Sequence, residues 1–557
     1  MASILIFIAS CSNDQKGKNI LNVYSQEVIT TVDPIEISDR HSHAVAKQVY
    51  EGLYEFHYLK PGFELYPALA ESLPEITNKL TYTIKLKKGV LFADDPCFKK
   101  TGGKGREFTA QDFIYSIKRL LSSEKSKTSF VASIILEVVK DFKALDDYTV
   151  QFKLKRPSAY FPTILIRPGL FVVAKEAVDY YGKDFRYHPV GTGAFKIEQW
   201  EKNSKVVFVR NQNYHHGFYP KEGGPEDDKN GMLKDAGEPL PFLNKIVRYI
   251  LVEEKPRWLK FNKGDVDIVA LDKDSYYDAF PTSGVLSKDL QDKGINVIKM
   301  QRLETTYYIF NMEDKLIGSN KYLRQAISLA YDGQKHNALF YNNQAFVANW
   351  VLPPGIFGFD PSYKNPYRQY NANLKEAKRL LAKAGYPNGK GLPTIKLLIT
   401  DSVAAKQMGE LFAKSMADIG IKAELVSMNF SLELQELEKT KRRFHIASLQ
   451  WKADLPFAED FLRIFYSKAF TPGPNDSHFK NSEYDLLFDK ASQMGPGPEK
   501  MKILNRMRDI AVEECSIIPV INPVSMILTQ PYVHNYRSHV IVGDDYKYVR
   551  VDHKKIR

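Results

Sequence analysis

A lysine in a glycine-rich turn, two pairs of histidines and a pair of aspartates are the residues here whose types and spacing could do chemistry. Thr101-Gly102-Gly103-Lys104-Gly105 has the lysine and glycines of a phosphate loop, in which a Ser or Thr should follow the lysine to hold a metal ion. Gly105 stands in that place and the glycine spacing differs. Gly191-Thr192-Gly193 lacks the third glycine of a dinucleotide fingerprint, and the chain contains no Gly-x-Ser-x-Gly nucleophile elbow. His41 and His43 stand two apart, and His215 and His216 are adjacent. No Cys or carboxylate lies at a familiar ligand spacing from them, so they read as surface or tether residues. Asp272 and Asp274 do not continue into a calcium loop, because no glycine follows at the required place. The expectation is therefore no catalytic residue, no metal and no cofactor. Weight moves from an enzyme to a binding protein, which needs a cleft and polar anchors rather than an activated nucleophile.

The elements that must position such anchors read as α/β. Leu80, Tyr82, Ile84 and Leu86 alternate with polar residues, as do Val150, Phe152 and Leu154, which predicts half-buried strands. Thr109 to Asp112 predicts a capping box opening a helix with Phe113, Ile117, Leu120 and Leu121 on one face. Further on, residues 394–400 read as a strand, and Ile421, Ala423 and Leu425 as another. Met408, Leu411, Phe412 and Ile419 fall at helical spacing between them. Strand, helix and strand in that order predict a parallel pair with a crossover. Another helix should start at Asn373, with Glu376 at its third position, and stop at Gly385. Residues 96–105 and 215–238, rich in Gly, Lys and acidic residues, read as surface insertions.

At 557 residues the chain is long enough for about three to four compact units. Hydrophobic residues make up 44% and charged residues 26%, an ordinary globular balance. The formal net charge is +12, but acidic residues interleave with basic ones and no long basic tract occurs, so nucleic acid is not expected as a partner. Three cysteines exclude a disulfide scaffold. Spacing leaves open whether Cys97 and Cys515 pair. Cys11 directly follows the apolar run Ile4-Leu5-Ile6-Phe7-Ile8-Ala9-Ser10. That run is too short for a bilayer core, which takes roughly 20 helical residues, and it is similar to the hydrophobic region of an export signal. Ile8-Ala9-Ser10-Cys11 resembles a bacterial lipobox, in which the cysteine is lipidated and becomes the new N-terminus. No Lys or Arg precedes the run, which leaves the translation start open upstream. Residues 12–18 have the composition of a flexible tether.

Several motifs then occur in one order along the chain. Pro67-Ala68-Leu69-Ala70-Glu71-Ser72 is followed by Gly89-Val90-Leu91-Phe92, by Thr109-Ala110-Gln111-Asp112-Phe113, and by Val190-Gly191-Thr192-Gly193-Ala194-Phe195-Lys196 with Trp200 and Arg210-Asn211-Gln212-Asn213-Tyr214. Gly264-Asp265-Val266-Asp267-Ile268, Arg324-Gln325-Ala326-Ile327-Ser328 with Asp332, Ala377 to Tyr386, and Trp451-Lys452-Ala453-Asp454 come after. In this order they resemble the bacterial extracellular solute-binding proteins of the oligopeptide- and dipeptide-binding type. The resemblance implies an α/β, two-lobed periplasmic-binding-protein fold of type II, in the large variant with an extra subdomain and a ligand cleft between the lobes. Its implied layout is a signal segment at 1–10 and a lipidated tether at 11–19. Lobe I would take 20–48, 188–301 and 516–557, with a subdomain inserted at 49–187, and lobe II would take 302–515. The implied role is a monomeric lipoprotein of the periplasm or cell envelope, held to the membrane through Cys11. It would capture oligopeptides and deliver them to a membrane ABC permease. The same scaffold admits a dipeptide, a cell-wall peptide, a metal chelate or haem as ligand, or a transport-independent sensor or chaperone.

A peptide site must hold an ammonium, a carboxylate and an extended backbone. In a closed cleft an ammonium pairs best with a carboxylate. In the peptide-binding members an Asp three residues after a Trp does this, which singles out Trp451 and Asp454; the competing reading of Asp454 is a capping or solvated loop residue. The family often continues with Tyr-Pro-Asp-Pro, whereas Leu455-Pro456-Phe457-Ala458 stands here. Some oligopeptide binders carry an Arg three residues before the Trp, where this chain has Ser448, so the carboxylate anchor stays unassigned. Ser25 and Glu27 occupy the stretch with which family members line the cleft from the first lobe, or simply end a strand. Trp350, before Pro353 and Pro354, is a pocket wall or a packed aromatic. Gly191, Thr192 and Gly193 are expected to serve backbone geometry.

Overall fold

The computed structural model describes residues 19–552, apart from 38, 125–128, 159, 283, 369–370, 440 and 472. The apolar run at 4–10, Cys11 and the tether at 12–18 lie outside the described residues. The chain divides into two compact units, one made of Met1–Ile298 with Met526–Arg557 and one of Lys299–Ser525.

In the first unit a four-stranded sheet runs in the order Ile20–Ser25, Lys245–Ile250, Lys205–Arg210, Phe195–Glu201. Its first two strands are parallel and the others antiparallel. A second sheet, in the order Glu75–Thr77, Thr81–Lys85, Thr149–Leu154, Val139–Asp146, is antiparallel throughout. Its alternation is the one read from sequence: Tyr82, Ile84, Val150, Phe152 and Leu154 are all buried. The helix Ala110–Ser122 begins where the capping box predicts, with the Asp112 carboxylate accepting the Thr109 N–H at 2.9 Å. Arg106 locks that carboxylate at 2.6 and 2.9 Å, and grips Glu176 at 2.6 and 2.7 Å. Gly191 and Gly193 lie against the Val49 carbonyl, where a Cβ would stand 2.2 and 2.6 Å from its oxygen. Close backbone approach is thus their task.

Segment 215–238 lies mostly at the surface but is anchored by acidic residues that its composition did not single out. Asp227 and Asp235 are buried within it, where Asp227 pairs with Arg537 and Asp235 with Arg550 at 2.6 Å. Its carboxylates tie the C-terminal part of the chain into this unit. Asp272 also gains a structural role, as N-cap of the helix Lys273–Ala279 and ion-pair partner of Arg257.

The second unit is built on a six-stranded sheet in the order Phe346–Val347, Ile517–Asn522, Glu304–Phe310, Ile446–Lys452, Ile395–Thr400, Ala423–Met428. The last two strands are parallel and enclose the helix Val403–Ala417 in sequence, as their periodicity predicts. Helix Leu374–Lys383 is capped by Asn373, whose side chain accepts from the Glu376 N–H at 3.2 Å. The core beneath includes Phe310, Leu323, Ile327, Leu381, Leu397, Phe412 and Ile518. Arg324 is 1% exposed in this core and donates to the carbonyls of Ile317 at 2.9 Å, Gly318 at 2.6 Å, Glu514 at 2.6 Å and Cys515 at 3.2 Å.

Cys97 and Cys515 are both free and buried. Burial pushes the Cys515 thiol up to about 12, far from the thiolate a reactive cysteine needs.

Candidate functional site

Trp451 and Asp454 stand where a strand ends. Strand Ile446–Lys452 pairs antiparallel with Glu304–Phe310, setting Trp451 opposite Thr305. The ladder closes with the Ala453 N–H on the Leu303 carbonyl at 2.8 Å. Pro456 has no N–H to continue a strand, and the chain turns into the short helix Ala458–Leu462.

Asp460 in that helix holds the turn. Its Oδ2 accepts the Trp451 indole N–H at 3.2 Å and the Asp454 backbone N–H at 2.9 Å. The two motif residues are thereby fixed by a third that sequence reasoning did not single out. Asp460 is buried and Asp454 half-buried. Burial pushes the Asp460 carboxyl up to about 7, and the neighbouring Asp454 charge adds to that rise. The next residue, Glu459, is also buried and pairs with the buried Lys500 at 2.7 Å.

Trp350 belongs to the same unit. Its ring stacks on Phe465 with centroids 5.2 Å apart and planes 9° off parallel. It also lines a concavity of about 340 Å³ together with Leu352, Phe359, Tyr363, Arg508 and Asn522. The Arg508 guanidinium lies 3.8 Å over the Tyr363 ring. Trp350 is thus both a packed aromatic and a pocket wall.

Ser25 and Glu27 belong to the first unit. The Ser25 hydroxyl is buried at the strand end and accepts from Arg248 at 3.2 Å, whereas Glu27 is exposed. Nearby Asp33 is buried in a two-pronged pair with Arg119 at 2.6 and 2.5 Å, which anchors the segment.

Two histidines differ from their reading as surface residues. His41 is buried and accepts from its neighbour Arg40 at 3.2 Å. His215 contacts Glu51 at 3.0 Å, with both side chains almost enclosed, and the Thr192 hydroxyl donates to the same carboxylate at 2.8 Å. Burial raises the Glu51 carboxyl, but the His215 charge and hydrogen bond, with help from Lys547 and Thr192, bring it below its ordinary value. Adjacent to it Lys547 pairs with Glu55 at 2.7 Å. Glu51, Glu55 and Lys547 line a cavity of about 40 Å³, room for a few waters. The pairing partners lie far apart in sequence, so spacing gave no signal for them.

Among the described residues no group of three or more His, Cys, Asp or Glu is placed to hold a metal ion. Among the same residues no helix is long and apolar enough to cross a membrane.

The sequence model described as "Bacterial extracellular solute-binding proteins, family 5 Middle" matches residues 64–472. The chain belongs to this family of extracellular solute-binding proteins. It is 27% identical over 533 residues to Heme-binding protein A of Haemophilus influenzae, covering 92% of this chain and 88% of that protein. It is 26% identical to a glutathione-binding protein of Escherichia coli, covering 92% and 90%. Among solved structures it is similar to the periplasmic binding protein DppA from Helicobacter pylori in complex with the peptide STSA. That likeness has a TM-score of 0.74 at 24% identity and covers 96% of this chain and 98% of that one. It is similar also to HbpA2 from Haemophilus parasuis, with a TM-score of 0.77 at 22% identity and coverage of 96% and 100%. The fold is that of the type II periplasmic peptide-binding proteins.

Proposed function

We propose that this chain is an extracytoplasmic receptor that captures peptides and hands them to a membrane ABC permease, binding and releasing its ligand unchanged. The observation that carries the peptide reading is Asp454. It is a half-buried residue three positions after Trp451, on a turn where the buried Asp460 holds both the Trp451 indole N–H and the Asp454 backbone N–H, in a chain of the solute-binding family. A carboxylate so fixed suits a peptide ammonium, because a charge-assisted pair away from bulk water is stronger than at an open surface. The structure of Helicobacter pylori DppA with a bound peptide supports the same ligand class. Trp350 and its pocket offer an apolar wall for a side chain, and Ser25 and Glu27 are the candidates from the first unit. Cys11 is proposed as the lipid anchor of a monomeric protein.

Calorimetry with trialanine tests the anchor. Asp454→Ala should weaken binding by roughly 2–5 kcal/mol, as removal of one partner from a buried charge pair does. An unchanged affinity would remove Asp454 from the site. Native mass spectrometry of the chain purified gently from a bacterial periplasm tests the ligand class: a ladder of masses that fragment as mixed peptides is expected. The likeness to Heme-binding protein A and to a glutathione-binding protein favours a second reading, in which one non-peptide solute occupies the same fold. A single sharp mass of such a compound would establish it instead.

A further inference from the structure

Asp460 is more than a latch would require. Its Oδ2 takes both the Trp451 indole N–H and the Asp454 backbone N–H, and an asparagine oxygen could accept the same two bonds. Compared with an amide, a carboxyl here bears two costs. It is 5% exposed, and removing a charge from water is unfavourable unless it is paired. It also faces a like charge, since the charge acting on it is that of Asp454. Two other acidic groups on the surrounding elements are ion-paired: Glu459 with Lys500 at 2.7 Å, and Glu304, across the ladder from Lys452, with Arg302.

We propose that Asp460 is the positioning residue of the ammonium anchor and forms with Asp454 a carboxyl pair that releases a proton when a cationic group docks. The proposal rests on the peptide reading above. Before binding, two neighbouring carboxyls cannot both ionise cheaply, so one keeps its proton. An incoming –NH₃⁺ offsets the repulsion, the Asp460 O–H breaks, its electrons remain on the carboxylate and the proton leaves to buffer. The site then presents two negative charges to one cation while Trp451 and the Asp454 backbone stay in place. A ligand with a second positive charge near its amino end is favoured over a neutral or acetylated one.

Two measurements on the full chain test this, one of them without ligand. The chain has four tryptophans, so the indole ¹⁵N–¹H resonance of Trp451 can be assigned by its loss in Trp451→Phe. It should titrate with a midpoint near 7. The step should vanish in Asp460→Asn, which keeps the hydrogen-bond acceptor, and move to lower pH in Asp454→Asn. An indole that does not titrate, or one whose step survives Asp460→Asn, overturns the pair. The second measurement is calorimetry of trialanine at pH 5.5 and 6.5, below the range where its own ammonium is lost, in two buffers of different ionisation enthalpy. Affinity should rise about tenfold between these pH values, with up to one proton released per peptide. Asp460→Asn should bind at the acid-limit affinity at both, with no proton release. Binding of trialanine that is pH-independent and proton-neutral overturns the proposal and leaves the peptide reading standing. Failure of both trialanine and N-acetyl-trialanine to bind at either pH overturns the peptide reading and the proposal with it.

Discussion

A buried carboxyl without a basic partner leaves a signature in the pH dependence of stability, and Asp267 provides a second instance besides Asp460. It is fully buried and accepts from the Asn22 N–H at 2.6 Å and the Tyr532 hydroxyl at 2.9 Å. Burial nevertheless outweighs those bonds and pushes its carboxyl up to about 6. The folded value lies above the unfolded one near 4, so the unfolded chain gives up its proton first as pH rises. Stability present below about pH 4 is therefore lost progressively until about pH 6, by about 2–3 kcal/mol at most. Denaturant unfolding of the first unit at pH 4.5 and 7 should show this loss, and Asp267→Asn should reduce it. A pH dependence identical in the variant would remove Asp267 from the account. At this scale the family resemblance could single out Trp451 and Asp454 because they form one short local motif. It was silent about Asp460, whose hydrogen bonds depend on how Pro456 ends the strand and turns the chain. The pair of Glu51 with His215 was hidden for the simpler reason that its members come from distant segments.

Elements whose signal is local periodicity could be read directly, and those joined by distant pairing could not. The parallel strands Ile395–Thr400 and Ala423–Met428, with their helix, follow from alternation and helical spacing within one stretch. The neighbours of Glu304–Phe310, strands Ile446–Lys452 and Ile517–Asn522, come from far along the chain, and no spacing announces them. Arg324 shows how such elements are held once assembled. It sits on the helix Lys321–Ala330, and its guanidinium ends the helix Pro498–Glu514 by accepting responsibility for carbonyls that have no intrahelical donor. Arg324→Leu fills much of the space but leaves the carbonyls of Ile317, Gly318, Glu514 and Cys515 without this donor. At about 1–3 kcal/mol for each group left buried and unsatisfied, with water reaching some of them, a loss of about 3–5 kcal/mol is expected in the second unit. Thermal unfolding would show it as an early transition, and Arg324→Lys, with one donor centre, should recover only part. An unaltered transition in Arg324→Leu would mean that other donors serve these carbonyls.

For the whole molecule, chain connectivity makes the two units unequal. The second is one continuous segment, Lys299–Ser525, whose core draws on residues from Tyr308 to Ile521. The first is assembled from both ends of the chain. Strand Ile20–Ser25 pairs with Lys245–Ile250, and the Tyr546 hydroxyl accepts from Arg248 at 2.9 Å. Lys547 and Tyr548 both reach Glu55, at 2.7 and 2.9 Å. Removing residues 526–557 would leave the buried Asp227 and Asp235 and the half-buried Glu55 without their cationic or hydroxyl partners, a penalty that can exceed the marginal stability of a domain. A fragment of residues 299–525 should therefore fold alone, with a cooperative thermal transition and dispersed amide resonances, since a segment of that size can bury about 70–75% of its unfolded surface. A fragment of residues 19–298 should remain without fixed tertiary packing until a peptide of residues 526–557 is supplied, whereupon near-ultraviolet dichroism should appear. Cooperative unfolding of 19–298 by itself would show that the C-terminal segment caps a finished core; a molten 299–525 would show that the second unit depends on the first despite its continuity.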